Sequence, residues 1–353
     1  MRIKLPTPTV GRGGSFRGLD LDTVHMATPA FLITIDTEGD NAWSMPRHPT
    51  TENAKYLGRF QSLCEAHQLK PTWLTDWEMA NDGAFVELAL DGIRTKTAEV
   101  GMHLHAWSQP PFDTTLTEAD WRHCTYLIEY PESAMRDKVR ALTSKLAETF
   151  DVPMTSHRAG RWALDERYAR ILVDEGYMVD CSVTPHVTWT GHAGSPHGTG
   201  GSDYTSFPED EYFVSLDDIS RVGSSPLLEI PMTVMKAADV ALMKSARTFT
   251  RGTPLERIVN RCRPGVEWLR PTGRNLQSML AIVERALAER RPYVEFMLHS
   301  SEFMPGGSPT FQTSESIERL YADLNELFSA VTGRFAGMTL SEYRRRTYPE
   351  KGV

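Results

Sequence analysis

FLITIDTEGD, residues 31–40, places four apolar residues in its first five positions and three carboxylates in its last five. A short apolar run that does not alternate with polar residues reads as a strand buried on both faces, as strands of a parallel sheet are. Similar runs recur at 71–77, 100–106, 154–158, 179–183, 227–234, 294–298 and 336–340. Between them lie helical patterns. Residues 118–150 form one long pattern, broken at Pro131 and opened by a capping box from Thr117 to Asp120. Others run over 164–175, closed by Gly176, and over 275–290 and 314–331, which stop at Pro292 and Gly333. Strand and helix alternating this often predict a (β/α) barrel, complete or partial, with an open doubly wound sheet as the alternative.

In such folds chemistry collects where strands end. Asp36 and Glu38 end the first run, and His103 and His105 end the third. Arg158 ends the fourth, Asp180 and Ser182 lie in the fifth, and His299 ends the penultimate one. Strand residues two apart share a face, so each of the pairs Asp36/Glu38 and His103/His105 points one way. Two imidazoles and a carboxylate suit a divalent ion, Zn²⁺ first, with Ni²⁺, Co²⁺ or Fe²⁺ also fitting. One of the two carboxylates would complete the ion's ligands and the other would act as a base. Arg158 is expected to hold Asp36 ionised. His299 is expected to act as an acid, tuned by a carboxylate such as Asp180. Trp43, Trp107, Trp162 and Trp189 lie just past strand ends, where indoles stack on sugar faces. A bland reading accompanies each of these: surface histidines, a solvated acidic turn, a core histidine and core tryptophans.

Taken in order, the segments TID-x-E (34–38), EVG-x-H-x-H (99–105), RAGRW (158–162), Asp180-x-Ser182 and LHS (298–300) resemble the five motifs of the NodB-homology polysaccharide deacetylases, carbohydrate esterase family 4. The resemblance spans about residues 31–340. It implies an α/β fold, a distorted (β/α)7-type barrel, and a metal-dependent hydrolase acting on the amide bond of an N-acylated sugar. It also implies roles: Asp36 as base, His103 and His105 as metal ligands, Arg158 orienting the base and His299 as acid. Asp180 joins the catalytic set, and Ser182 joins Trp43, Trp107 and Trp162 as expected substrate contacts. Two positions depart from the family pattern. Thr37 stands where a second aspartate is usual, which makes Glu38 the expected carboxylate ligand with Asp36 the alternative. The histidines are two apart instead of four. Such variants resemble a subgroup tied to bacterial surface-glycan loci, so the substrate expected is a glycan or a lipid- or nucleotide-linked sugar. A cyclic-amide hydrolase and a glycan-binding pseudoenzyme are the competing readings.

The 353 residues carry a formal net charge of −8, which argues against a nucleic-acid partner, because binding there runs on cationic side chains. Four scattered cysteines, Cys64, Cys124, Cys181 and Cys262, fit free thiols and a cytoplasmic protein. No apolar run reaches the length of a membrane span. Residues 1–28 are expected to be a vector-derived leader or a flexible arm. Residues 29–345 would then form one barrel domain, followed by a tail at 346–353. The Gly/Pro-rich stretch 190–225 is read as a substrate-facing loop, with Tyr204, Phe207 and Tyr212 offering stacking faces and Asp203, Glu209 and Asp210 acceptors.

Overall fold

A computed structural model describes residues 28–44, 46, 48–112, 118–237 and 265–349. Residues 1–27 of the leader, Thr117, Cys262 and residues 350–353 of the tail lie outside these. Seven strands run parallel in the order β11 (Tyr293–His299), β1 (Ala30–Thr37), β2 (Pro71–Thr75), β3 (Glu99–Leu104), β4 (Ser156–Ala159), β5 (Val179–Asp180) and β8 (Leu228–Glu229). Strand β12 (Ala336–Met338) pairs with the first half of β1, below β2. The antiparallel hairpin β6 (Tyr212–Ser215) and β7 (Asp218–Val222) extends the far edge. A second, two-stranded sheet joins β9 (Val234–Lys236) and β10 (Val266–Trp268).

The barrel closes without a ladder. Between β8 and β11 runs the segment 230–233. Tyr293 donates its hydroxyl to the Pro231 carbonyl at 2.9 Å, and the Glu295 amide donates to the Thr233 hydroxyl at 2.8 Å. The Met297 amide reaches the Leu269 carbonyl at 3.4 Å. This seam makes the fold a distorted (β/α) barrel, as the strand rhythm predicts, and rules out the open doubly wound sheet.

Alternation along the strands sorts the side chains. Phe31, Ile33 and Ile35 join the large outer core, beneath α1 (Leu57–Ala66), α2 (Gly83–Thr95), α4 (Glu132–Phe150), α5 (Glu166–Asp174), α6 (Leu276–Ala288) and α7 (Ser314–Val331). Ala30 and Leu32 face inward with Leu74, Val179, Cys181, Leu228 and Ile230. Leu340 and Tyr343 of α8 (Leu340–Thr347) plug the bottom of this inner cluster. Helices α2, α5 and α7 start where a side chain satisfies free amides: Asp82 accepts from Ala84 and Phe85, Asp165 from Tyr168, and Thr313 from Ser316. The pattern over 118–150 is two helices, α3 (Glu118–His123) and α4. A turn at Leu127–Glu129 lies between them, and Pro131 is the N-cap from which α4 starts, so the break runs up to the proline.

The stretch 190–225 is not the adjustable loop its glycines suggest. It contains β6 and β7. Tyr204 is fully buried with its hydroxyl donating to the Trp162 carbonyl, and Tyr212 donates to the Ile219 carbonyl at 2.7 Å. Phe207 packs edge-on against Tyr204. Glu209 and Asp210 pair with Arg291. These rings fill the fold and present no stacking face.

Candidate metal centre

The inward positions of β1, β3, β4 and β11 change in character from bottom to top. Above the apolar plug sits Arg158, fully buried, on β4. Its Nη1 donates to Asp36 Oδ1 at 2.6 Å, its Nη2 to the Thr34 hydroxyl at 2.7 Å and to Glu295, and its Nε to the Cys181 carbonyl at 3.1 Å. One guanidinium thus lies between two buried carboxylates. Burial pushes Asp36 up, but Arg158 and His103 outweigh it and hold Asp36 below its ordinary value. Glu295 has less help: burial pushes it up to about 7 against Arg158 and Thr34, and its Oε2 has no partner.

Above this layer the two same-face pairs meet. Glu38, His103 and His105, all buried, bring three ligand atoms within 4.8 Å of one another. Glu38 Oε2 is 2.7 Å from His105 Nε2 and 3.6 Å from His103 Nε2. Asp36 Oδ2 is 3.9 Å from His103 Nε2. His103 Nδ1 lies 3.0 Å from the Arg158 carbonyl, which can only accept, so Nδ1 carries the proton and the Nε2 lone pair faces the carboxylates. Gly160 makes room for His105, because a Cβ there would stand 2.8 Å from its Nδ1. Ligand atoms around a tetrahedral Zn²⁺ stand about 3–3.5 Å apart. The group therefore fits a divalent ion, which would also offset the charge of Glu38 in a site that water barely reaches.

His299 closes the site from β11. Its Nε2 is 3.7 Å from Asp36 Oδ2. Its Nδ1 faces Glu302 Oε2 at 3.1 Å, and that oxygen also accepts from the His299 amide at 3.0 Å. Arg270 contacts Glu302 at 3.2 Å. Burial pushes Glu302 up, but Arg270 and His299 win and keep it lowered. Sequence reading missed both Glu302 and Arg270; the i, i+3 spacing of His299 and Glu302 across a turn was the available signal for the first.

Asp180 does not serve His299. Val179 and Cys181 take the inward positions of β5, so alternation turns Asp180 and Ser182 outward. Asp180 binds His157 Nδ1 at 2.5 Å, and His157 Nε2 meets the Tyr168 hydroxyl at 2.7 Å. Ser182 is fully buried; it donates to Asp180 at 2.9 Å and accepts from the Ala159 amide at 2.8 Å. Neither residue lines the cleft over the metal centre.

Trp43, Trp107, Trp162 and Trp189 do line that cleft, whose volume is about 620 Å³. Trp43 packs edge-on against His299, with ring centroids 4.7 Å apart. Trp162 and Trp189 lie nearly parallel, 7° apart in plane and 6.5 Å between centroids. From the stretch 190–225 only His192 and Ala193 reach the cleft.

No family model matches the chain, and no curated protein matches it in sequence. Solved structures do. One, described as a candidate polysaccharide deacetylase from Mycobacterium smegmatis, superposes with a TM-score of 0.52 at 13% identity, covering 94% of this chain and 96% of that one. Another, a candidate glycoside hydrolase/deacetylase from Parabacteroides distasonis, gives 0.58 at 12% identity, covering 92% and 73%. At such identities the likeness is one of fold.

Proposed function

We propose that the chain is a divalent-metal-dependent hydrolase that removes an acyl group, N-acetyl first, from a carbohydrate of a bacterial surface glycan or its lipid- or nucleotide-linked precursor. The observation that carries this is the convergence of Glu38, His103 and His105 beside Asp36 and His299, at the floor of a cleft walled by indoles. The two structural neighbours, described as deacetylases, support it.

Glu38, His103 and His105 would hold the ion, Zn²⁺ by the chemistry of the donor set, with Ni²⁺, Co²⁺ or Fe²⁺ as alternatives. When bound, the ion supplies Lewis acidity and lowers the pKa of a water. Asp36, held ionised by Arg158, accepts that water's proton as its oxygen bonds to the acyl carbon. His299 Nε2 delivers a proton to the amine nitrogen as the C–N bond breaks. Glu302 fixes the His299 ring through Nδ1, and Arg270 helps keep Glu302 ionised. The indoles align the sugar by its apolar faces. Among the described residues no helix is long and apolar enough to cross a membrane, and a cytoplasmic location belongs to the same proposal.

The test is acetate release from N-acetylated sugars by the purified chain, with and without chelator and after adding back Zn²⁺ or Co²⁺. Release that stops on chelation and returns with metal supports the reading. A chain that binds no stoichiometric ion, or binds it and releases nothing from any acylated sugar, overturns it.

A further inference from the structure

The walls of the cleft carry charge that acyl removal itself does not need. Among the described residues, Asp36 and Glu38 on the floor are the carboxylates that line the cleft, and Arg122, Arg161 and Arg270 line it too. In a chain with a formal net charge of −8, this is a local reversal of sign. Arg270 already serves Glu302. The other two come together where α3 ends. Arg161 Nη1 donates to the Cys124 carbonyl at 2.5 Å and Nη2 to the Ala193 carbonyl at 3.0 Å, and its guanidinium stacks 3.9 Å over the Tyr126 ring. Arg122 precedes His123 and Cys124 directly. The placement is held against backbone preference: Arg161 and Trp162 take φ of 55° and 62° in succession, a region that strains residues other than glycine and that persists where function requires it. The same turn that presents Arg161 presents Trp162, parallel to Trp189.

A planar guanidinium with donors to spare, next to indole faces, recognises a sugar carrying a negative group. We infer that the substrate is an anionic sugar, with a phosphate or carboxylate close to the acylated ring that binds Arg161 and Arg122. This rests on the cleft being the place where the acylated sugar binds.

Binding is measured by tryptophan fluorescence and calorimetry on the full chain, freed of metal so that no ion captures the anion. The probes are N-acetylglucosamine, N-acetylglucosamine 1-phosphate and an N-acetylated hexosaminuronic acid. At least one anionic probe should bind about tenfold or more tightly than the neutral sugar at low salt, as a charge-assisted hydrogen bond implies, with the difference shrinking as salt rises. Arg161→Gln should remove most of that preference. Arg122→Gln, at an exposed helix position, should reduce it. Preference for the phosphate alone or the carboxylate alone identifies the group, and preference for both assigns it to charge. Equal binding of all three probes, or a preference untouched by both substitutions, overturns the inference. Acyl release by the zinc-loaded chain is scored separately. Deacetylation without anion preference removes this inference and keeps the hydrolase; anion preference without acyl release does the reverse.

Discussion

Glu295 is the member of the buried Arg158 cluster with too few partners, and its replacement by Gln tests the electrostatics of the barrel interior. Arg158 divides its donors between Asp36 and Glu295, and burial leaves Glu295 titrating at about 7 instead of its ordinary 4.5. The folded state therefore holds a proton that the unfolded state has released between those two values. Stability from this group is complete below about pH 4.5 and is lost as pH rises through about 7. At about 1.4 kcal/mol per pKa unit, the loss is on the order of 3 kcal/mol for this fully buried group. Gln keeps the shape and can accept from Arg158 and Thr34 but cannot ionise. In urea denaturation with chelator, Glu295→Gln should gain on the wild type as pH rises from 5 to 8, by about 2–4 kcal/mol, with the gap levelling above pH 8. Stability curves that stay parallel across that range would refute the account of one guanidinium between two carboxylates.

His103→Ala or His105→Ala should abolish stoichiometric Zn²⁺ binding, measured by elemental analysis, with little change in melting of the metal-free protein. Asp36→Asn should keep the ion and lose turnover, whereas Glu38→Gln should lose the ion; the opposite pattern would exchange their roles. His299→Ala should retain metal and lose about 10²–10⁴ in kcat, and Glu302→Gln should lower kcat less while altering its pH profile. An unchanged rate in His299→Ala would leave that residue a packing role alone. Replacing 190–200 with a Gly/Ser linker removes His192 and Ala193 from the cleft, so sugar deacetylation should fall at least about tenfold while hydrolysis of a small activated ester survives, since only remote binding is lost. Equal loss of both activities would count against a substrate role for that segment.

The candidate metal group was legible because it depends on period-two alternation at strand ends, where Asp36/Glu38 and His103/His105 each keep one face. Alternation also explains the misreading of Asp180 and Ser182. Spacing within a two-residue strand does not reveal which face is inward; Val179 and Cys181 decide that by packing against Leu32 and Leu74. Glu302 lies in a turn without periodicity, and Arg270 lies in a segment without a motif, so tertiary contact alone joins them to His299. The Gly/Pro-rich composition of 190–225 points to a substrate-facing loop, whereas Tyr204 and Tyr212 anchor that stretch by burial.

The position of β1 has a consequence for biosynthesis. This strand is buried along its whole length and is the first of the described strands, yet one of its edges is completed by β11 and the other by β2 and β12. A ribosome must release the chain through Tyr293 before Ala30 can meet it. Until then an apolar strand keeps an open hydrogen-bonding edge, the arrangement that invites pairing between nascent copies. A fragment ending before residue 293 should consequently appear in the pellet and not as a partly folded soluble species, and a soluble, cooperatively melting fragment would show that β11 is dispensable for closing the barrel.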